Sequence, residues 1–86
     1  MASYRIEWKA SALKELRKLP KETIGRITAA VEALKENPFP HGSKKLTGGR
    51  SSYRLREGMY RVIYTVSGEL LLIEIIKVGH RKDVYK

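Results

Sequence analysis

The sequence predicts an α+β fold: a small antiparallel β-sheet with an N-terminal helical hairpin on one face, in the order β-α-α-β-β-β, plus a short C-terminal tail. Three observations lead there. Residues 4 to 8, YRIEW, alternate apolar and polar side chains. Two stretches then carry apolar residues at helical spacing, broken once at Leu19-Pro20. Finally, residues 53 to 78 hold three strand-like runs separated by turn residues. A chain of 86 residues makes one domain, 1–86, with one modest core.

The first strand should turn Tyr4, Ile6 and Trp8 inward, and Trp8 reads as core rather than as a stacking platform. The first helix opens near Ser11 and runs over residues 10 to 18, with Leu13 and Leu16 on one face. A residue before proline avoids the α region, so Leu19 marks the break and Pro20 can open the second helix. There Ile24, Ile27, Val31 and Leu34 recur at helical spacing, with Ala30 between them, until Asn37-Pro38 ends the run. Gly25 inside it costs roughly 1 kcal/mol relative to alanine.

Residues 37 to 52, NPFPHGSKKLTGGRSS, read as a loop by their Pro, Gly and Ser content, with His41 at the surface. GGRSS lacks the spacing of a Walker phosphate loop. The strands follow: YRLRE (53–57), YRVIYTV (60–66) and LLLIEIIKV (70–78). Gly58 and Ser67-Gly68 punctuate them, which implies antiparallel hairpins, and the last run should be a central strand covered by the helices.

Eighteen Lys and Arg face nine Asp and Glu, a formal net charge of +9, so the chain should attract polyanions. Lys14, Arg17, Lys18, Lys21 and Arg26 lie on the polar helix faces, where they serve solvation first and long-range attraction second. No cysteine is present, which excludes a disulfide framework and a thiolate metal site and fits a reducing cytoplasm. Two histidines, His41 and His80, are too few for a structural zinc site, and no metal or cofactor is expected. MASYRIEWKAS has no apolar core of signal-peptide length, and Glu74 and Lys77 interrupt the longest apolar stretch, so no membrane partner is expected.

Alternation places Arg54 and Arg56 on one strand face and Tyr53, Leu55 and Glu57 on the other. A two-residue turn at Glu57-Gly58 would set Arg54 opposite Arg61. One at Gly58-Met59 would set Arg56 opposite Arg61, and a three-residue loop would send Arg61 to the far face; Gly58 favours the short turns. Like charges paired across a sheet destabilise it. Three arginines on the open face are therefore a poor structural choice unless an anion sits between them, and the guanidinium fork suits phosphate. The tail, VGHRKDVYK, can bring Arg81 and Tyr85 to the same area as one wall of a phosphate site.

YRLRxGxYRVIY, an apolar strand and VGHRKDVY together resemble the RelE family of bacterial and archaeal toxins, as do ALKELRKLP and the ENP after the second helix. The likeness covers nearly the whole chain. It implies a toxin of a type II toxin–antitoxin system: a metal-independent, ribosome-dependent mRNA endoribonuclease that cuts the codon in the A site. The 2′-hydroxyl attacks the adjacent phosphate and the 5′-oxygen leaves. The implied partners are the ribosome (rRNA) and mRNA, an acidic RelB-like antitoxin, and operator DNA only through the toxin–antitoxin complex. By position, Arg54 and Arg56 match two basic residues that are usually lysine, Arg61 and Arg81 match arginines, and Tyr85 matches a tyrosine. Lys14, Arg17, Lys18, Lys44, Lys45 and Lys82 become the expected rRNA and mRNA contacts.

The arginines depart from the family in one respect. Its proposed general base is a lysine, and arginine does not release its proton in proteins. Charge stabilisation then carries most of the rate, or His80, Tyr85 or a ribosomal group takes the proton. Two other readings use the same residues: a non-enzymatic, ParE-like inhibitor of DNA gyrase on this fold, and a basic module that binds RNA or an acidic protein without chemistry.

Overall fold

The computed structural model describes residues 3–47 and 51–85. The Gly48-Gly49-Arg50 part of the glycine-rich stretch lies outside the described residues, as does Lys86 of the tail. The elements are β1 (Arg5–Trp8), α1 (Ala10–Arg17), α2 (Lys21–Ala33), β2 (Ser43–Lys45), β3 (Ser52–Glu57), β4 (Tyr60–Ser67) and β5 (Leu72–His80). They build one five-stranded sheet in the order β1-β5-β4-β3-β2.

The α+β class and the helical hairpin are as expected; the sheet is mixed rather than antiparallel. β1 runs parallel to β5, with Ile6 beside Ile73 and Trp8 beside Ile75. Parallel neighbours cannot be joined by a tight turn. The separation comes from the helices and three strands that lie between β1 and β5 in the chain. The extra strand, β2, falls within the segment read as loop. Its three residues, Ser-Lys-Lys, carry no apolar alternation, so only pairing with β3 reveals it. A short, lysine-bearing strand is also how a sheet edge resists pairing with other chains.

α1 buries Ala12 and Leu16, and α2 buries Thr23, Ile27 and Val31. Across from them lie Leu55, Val62, Tyr64, Ile73, Ile75 and Val78, with Tyr4, Ile6 and Trp8 packed at the margin. Trp8 therefore serves the core. The Tyr64 hydroxyl donates to the Pro38 carbonyl at 2.7 Å, fastening the chain after α2 to the sheet. Beyond β1 the edge of β5 is met by α1, where the Val78 N–H donates to Glu15 Oε1 at 3.0 Å.

The second hairpin is longer than expected. Ser67 pairs with Leu72, leaving residues 68–71 as the connection. Leu70 is exposed and Leu71 has φ 50, so the first two leucines of the apolar run form a turn. Among the described residues, no helix is long and apolar enough to cross a membrane.

Candidate active site

Arg56 pairs directly with Arg61, and Glu57 with Tyr60. Of the three connections open to the sequence, the Gly58-Met59 turn is the one formed. Gly58 takes φ 60 at the first central position, a conformation that suits glycine. Arg54 faces Ile63 one step along, so strand alternation puts Arg54, Arg56 and Arg61 on one sheet face. The helices pack against the other face, through Leu55 and Val62.

Arg61 is held by its own hairpin. Its Nη1 donates to the Gly58 carbonyl and the Tyr60 carbonyl, both at 2.9 Å. Burial lowers its pKa, followed by the guanidinium groups of Arg56 and Arg54; Tyr85 opposes and Arg81 adds to the lowering. Arg61 thus sits within the electrostatic reach of Arg54, Arg56, Arg81 and Tyr85. Arg54 Nε is buried without a hydrogen-bond partner among the described residues. A buried guanidinium N–H left unpaired is costly, and an anion oxygen would satisfy it.

The tail is docked rather than frayed. The Arg81 N–H donates to the Met59 carbonyl at 2.8 Å, and the Asp83 and Val84 N–H groups donate to the His80 carbonyl. Val84 is buried against Gly79, where an added Cβ would lie 3.8 Å from Val84. Gly79 is the cross-strand partner of Arg61, so the buried Val84 sets the tail beside that arginine. Arg81 and Tyr85 stay exposed, Tyr85 at 56 %.

His80 is not brought to the arginines. It pairs with Tyr60, on the face opposite Arg61, and the two rings meet edge-on at 5.7 Å. Its Nδ1 accepts the Lys82 N–H at 3.1 Å. Lys44 lies across from Arg54 and shares its face, whereas Lys45 pairs with Tyr53 on the other. Lys45 instead lines a cleft of about 640 Å³ with Phe39, Pro40, His41, Ser43 and Tyr53. Lys14, Arg17 and Lys18 are exposed on the helical layer, away from the arginine face, and Lys82 is exposed on the tail. Among the described residues, no three His, Asp or Glu side chains converge to hold a metal ion.

Two features were not read from the sequence. The buried Arg54 Nε depends on neighbours in other strands. A second cleft on the arginine face, containing Glu74, was hidden by the register shift between Ile63 and Tyr64.

Comparison with known proteins covers the whole arrangement. The family model described as the ParE toxin of type II toxin–antitoxin system, parDE, matches residues 6–85. A putative toxin RelE1 of Methanocaldococcus jannaschii is 34% identical over 86 residues, covering 96% of each chain. The archaeal RelE–RelB complex of Pyrococcus horikoshii superposes with a TM-score of 0.80 at 31% identity, over 95% of this chain and 99% of that one. The intact E. coli RelBE toxin–antitoxin complex gives 0.78 at 30% identity, over 91% and 96%.

Proposed function

This chain belongs to the RelE/ParE family of type II toxin–antitoxin toxins, and we propose that it acts as a ribosome-dependent mRNA endoribonuclease. The single observation that carries this reading is the pairing of Arg56 with Arg61 on a face that also holds Arg54 and lies within reach of Arg81. Such a cluster costs stability in the free protein and gains its purpose when a phosphodiester lies across it.

In the reaction, the 2′-oxygen bonds to the adjacent phosphorus, the bond from phosphorus to the 5′-oxygen breaks, and a cyclic phosphate and a 5′-hydroxyl result. Negative charge builds on the phosphoryl oxygens. Arg54, Arg56 and Arg61 stabilise it, and the carbonyl anchors on Arg61 Nη1 hold that guanidinium in place beforehand. Arg81 closes the site from the tail. Tyr85 is exposed and placed to stack on a base or to hydrogen-bond the attacking sugar. The 2′-proton passes to a ribosomal group, or to the Tyr85 hydroxyl as it gives up its own proton, and water or a ribosomal group protonates the leaving 5′-oxygen; His80, on the far face with its Nδ1 occupied, is poorly placed to take part. The ribosome supplies the substrate geometry. Lys44 extends the cationic face, and Lys14, Arg17, Lys18, Lys45 and Lys82 contact rRNA elsewhere.

The two solved structures described above, from Pyrococcus horikoshii and E. coli, are complexes of a RelE toxin with a RelB antitoxin. By extension, an acidic RelB-like antitoxin covers the arginine face here, and the pair reaches operator DNA as a complex in the cytoplasm. The test is a translation reaction with mapped 5′ ends. New ends at codons in the A site, dependent on ribosomes, are expected. Ends unchanged by the protein overturn the reading. Because the matching family model is described by ParE, gyrase supercoiling is assayed in parallel; its inhibition with intact message would favour the gyrase poison.

A further inference from the structure

His80 stands beside Arg81 in the tail, yet the chemistry above leaves it without a task. Its place in the fold supplies one. β5 ends at His80, and the chain turns at once. The His80 carbonyl accepts the Asp83 N–H at 2.8 Å and the Val84 N–H at 3.0 Å, as at the start of a helical turn. Its Nδ1 accepts the Lys82 N–H at 3.1 Å. An extended residue whose carbonyl opens a helical turn, and whose side chain accepts the N–H two places on, is an N-cap. The Arg81 N–H is held by the Met59 carbonyl at 2.8 Å, so each of the four N–H groups after His80 has an acceptor.

Serine, threonine, aspartate and asparagine are the usual caps. The imidazole adds what they lack: its ring meets Tyr60 edge-on at 5.7 Å, at the margin of the core. Nδ1 accepts a hydrogen bond only while it carries no proton, which puts the ring proton of the neutral form on Nε2. Arg81, the first residue of the turn, is fixed by this cap on one side. On the other it is fixed by Met59, in the hairpin that pairs Arg56 with Arg61. Tyr85 follows the buried Val84 directly. A single helical turn is marginal by itself, so the directions of Arg81 and Tyr85 depend on what closes it.

We propose that His80 is a positioning residue: through Nδ1 it caps the turn that carries Arg81 and Tyr85 to the arginine face. It moves no proton. Its effect on cutting rests on the nuclease reading above; its effect on the turn does not.

The experiment compares the natural chain with His80→Ala, His80→Gln and His80→Asn. The last sets an acceptor near the place of Nδ1 without the ring, whereas His80→Gln sets it one bond too far. Hydrogen exchange at the Lys82, Asp83 and Val84 amides is expected to quicken roughly tenfold in His80→Ala and His80→Gln, and to stay near the natural rate in His80→Asn. The ring nitrogen resonances of His80 at mildly alkaline pH should show the Nε2–H tautomer. In single-turnover cutting on ribosomes, the maximal rate should fall roughly tenfold in His80→Ala and His80→Gln, with the half-saturating concentration unchanged, and recover in His80→Asn. A His80→Asn protein as slow as His80→Ala overturns the cap, because a lost base or lost ring packing gives that result. An Nδ1–H tautomer overturns it too, as does natural amide protection in every variant. Loosened amides with unchanged cutting overturn the positioning role and leave the nuclease reading standing. If the natural chain makes no cuts, the nuclease reading falls, and the amides and the tautomer decide the cap alone. Urea midpoints report global unfolding; where His80→Ala lowers them, His80→Asn against His80→Gln decides.

Discussion

Arg56 and Arg61 stand directly opposite each other across the β3–β4 hairpin, two positive side chains in the tightest cross-strand relationship a sheet offers. Neither has an acidic partner: the ion pairs formed among the described residues join Arg5 to Glu7, Lys35 to Glu32 and Lys77 to Glu15. Arg56 is exposed, so its removal leaves no cavity. Arg56→Ala is expected to stabilise the free protein by roughly 0.2–1 kcal/mol. It should also lower ribosome-dependent cleavage by about 10²-fold. Urea midpoints and cut-site mapping on the same preparation check both. A less stable variant, or one of full activity, contradicts the functional explanation for the pair.

The hairpin that sets this pairing depends on Gly58. Its φ of 60 is unfavourable for a side chain, although no atom obstructs a Cβ there. Gly58→Ala is therefore expected to cost ~1 kcal/mol from backbone strain alone. The Gly58 carbonyl also anchors Arg61 Nη1, so cleavage should fall more than the stability loss explains. Denaturation curves and single-turnover cleavage separate the two effects.

The helical hairpin was legible because Ile27, Val31 and Leu34 repeat at helical spacing and Pro20 interrupts it. The shared face of Arg54 and Arg56 was legible from alternation, and Gly58 favoured the two-residue turns that bring Arg61 to it; which of those two turns forms was not legible, because they differ by one residue of register. β2 escaped because Lys44 and Lys45 bury nothing, and strand-like sequence without a buried face looks like loop. The parallel partner of β1 escaped because pairing between distant strands leaves no local trace. Glu74 was read only as a charge that excluded a membrane span; the register shift between Ile63 and Tyr64 altered which β5 side chains face the arginines.

Val84 answers why the tail keeps an apolar residue two positions before its end. It is 3% exposed and packs on Gly79, fixing the turn that presents Arg81 and Tyr85. Val84→Ala should loosen this turn locally. Hydrogen exchange at the Arg81 and Val84 amides, which bond to Met59 and His80, is expected to quicken by roughly tenfold, with the Val62 amide unaffected. Cleavage should fall with it.

Glu15 supports the same strand from the helical side. Its Oε1 accepts the Val78 N–H, while its Oε2 lies 3.7 Å from Lys77 Nζ, a partly exposed pair. An exposed pair contributes little, whereas an unpaired strand N–H costs about 1–3 kcal/mol. Glu15→Ala should therefore destabilise by roughly that amount, and Glu15→Gln, which keeps an acceptor, by clearly less. Equal losses in the two variants would place the energy in the charge instead.

Tyr64 gives a pH-dependent test of the core. Burial raises its pKa, partly offset by a hydrogen bond with Ser43 and reinforced by Tyr53. Its hydroxyl donates to the Pro38 carbonyl, so at neutral pH Tyr64→Phe should cost about 1 kcal/mol. A phenol with a raised folded pKa holds its proton in the native state after the unfolded chain has lost it near pH ~10. The unfolded state then binds fewer protons than the native one, and stability falls with rising pH until the folded group ionises as well. Tyr64→Phe has no such proton. The stability gap between the two proteins should stay constant below pH ~9 and narrow above pH ~10. Denaturant midpoints on both sides of that boundary measure it; a gap that widens at alkaline pH would mean that the phenolate is the form the core prefers.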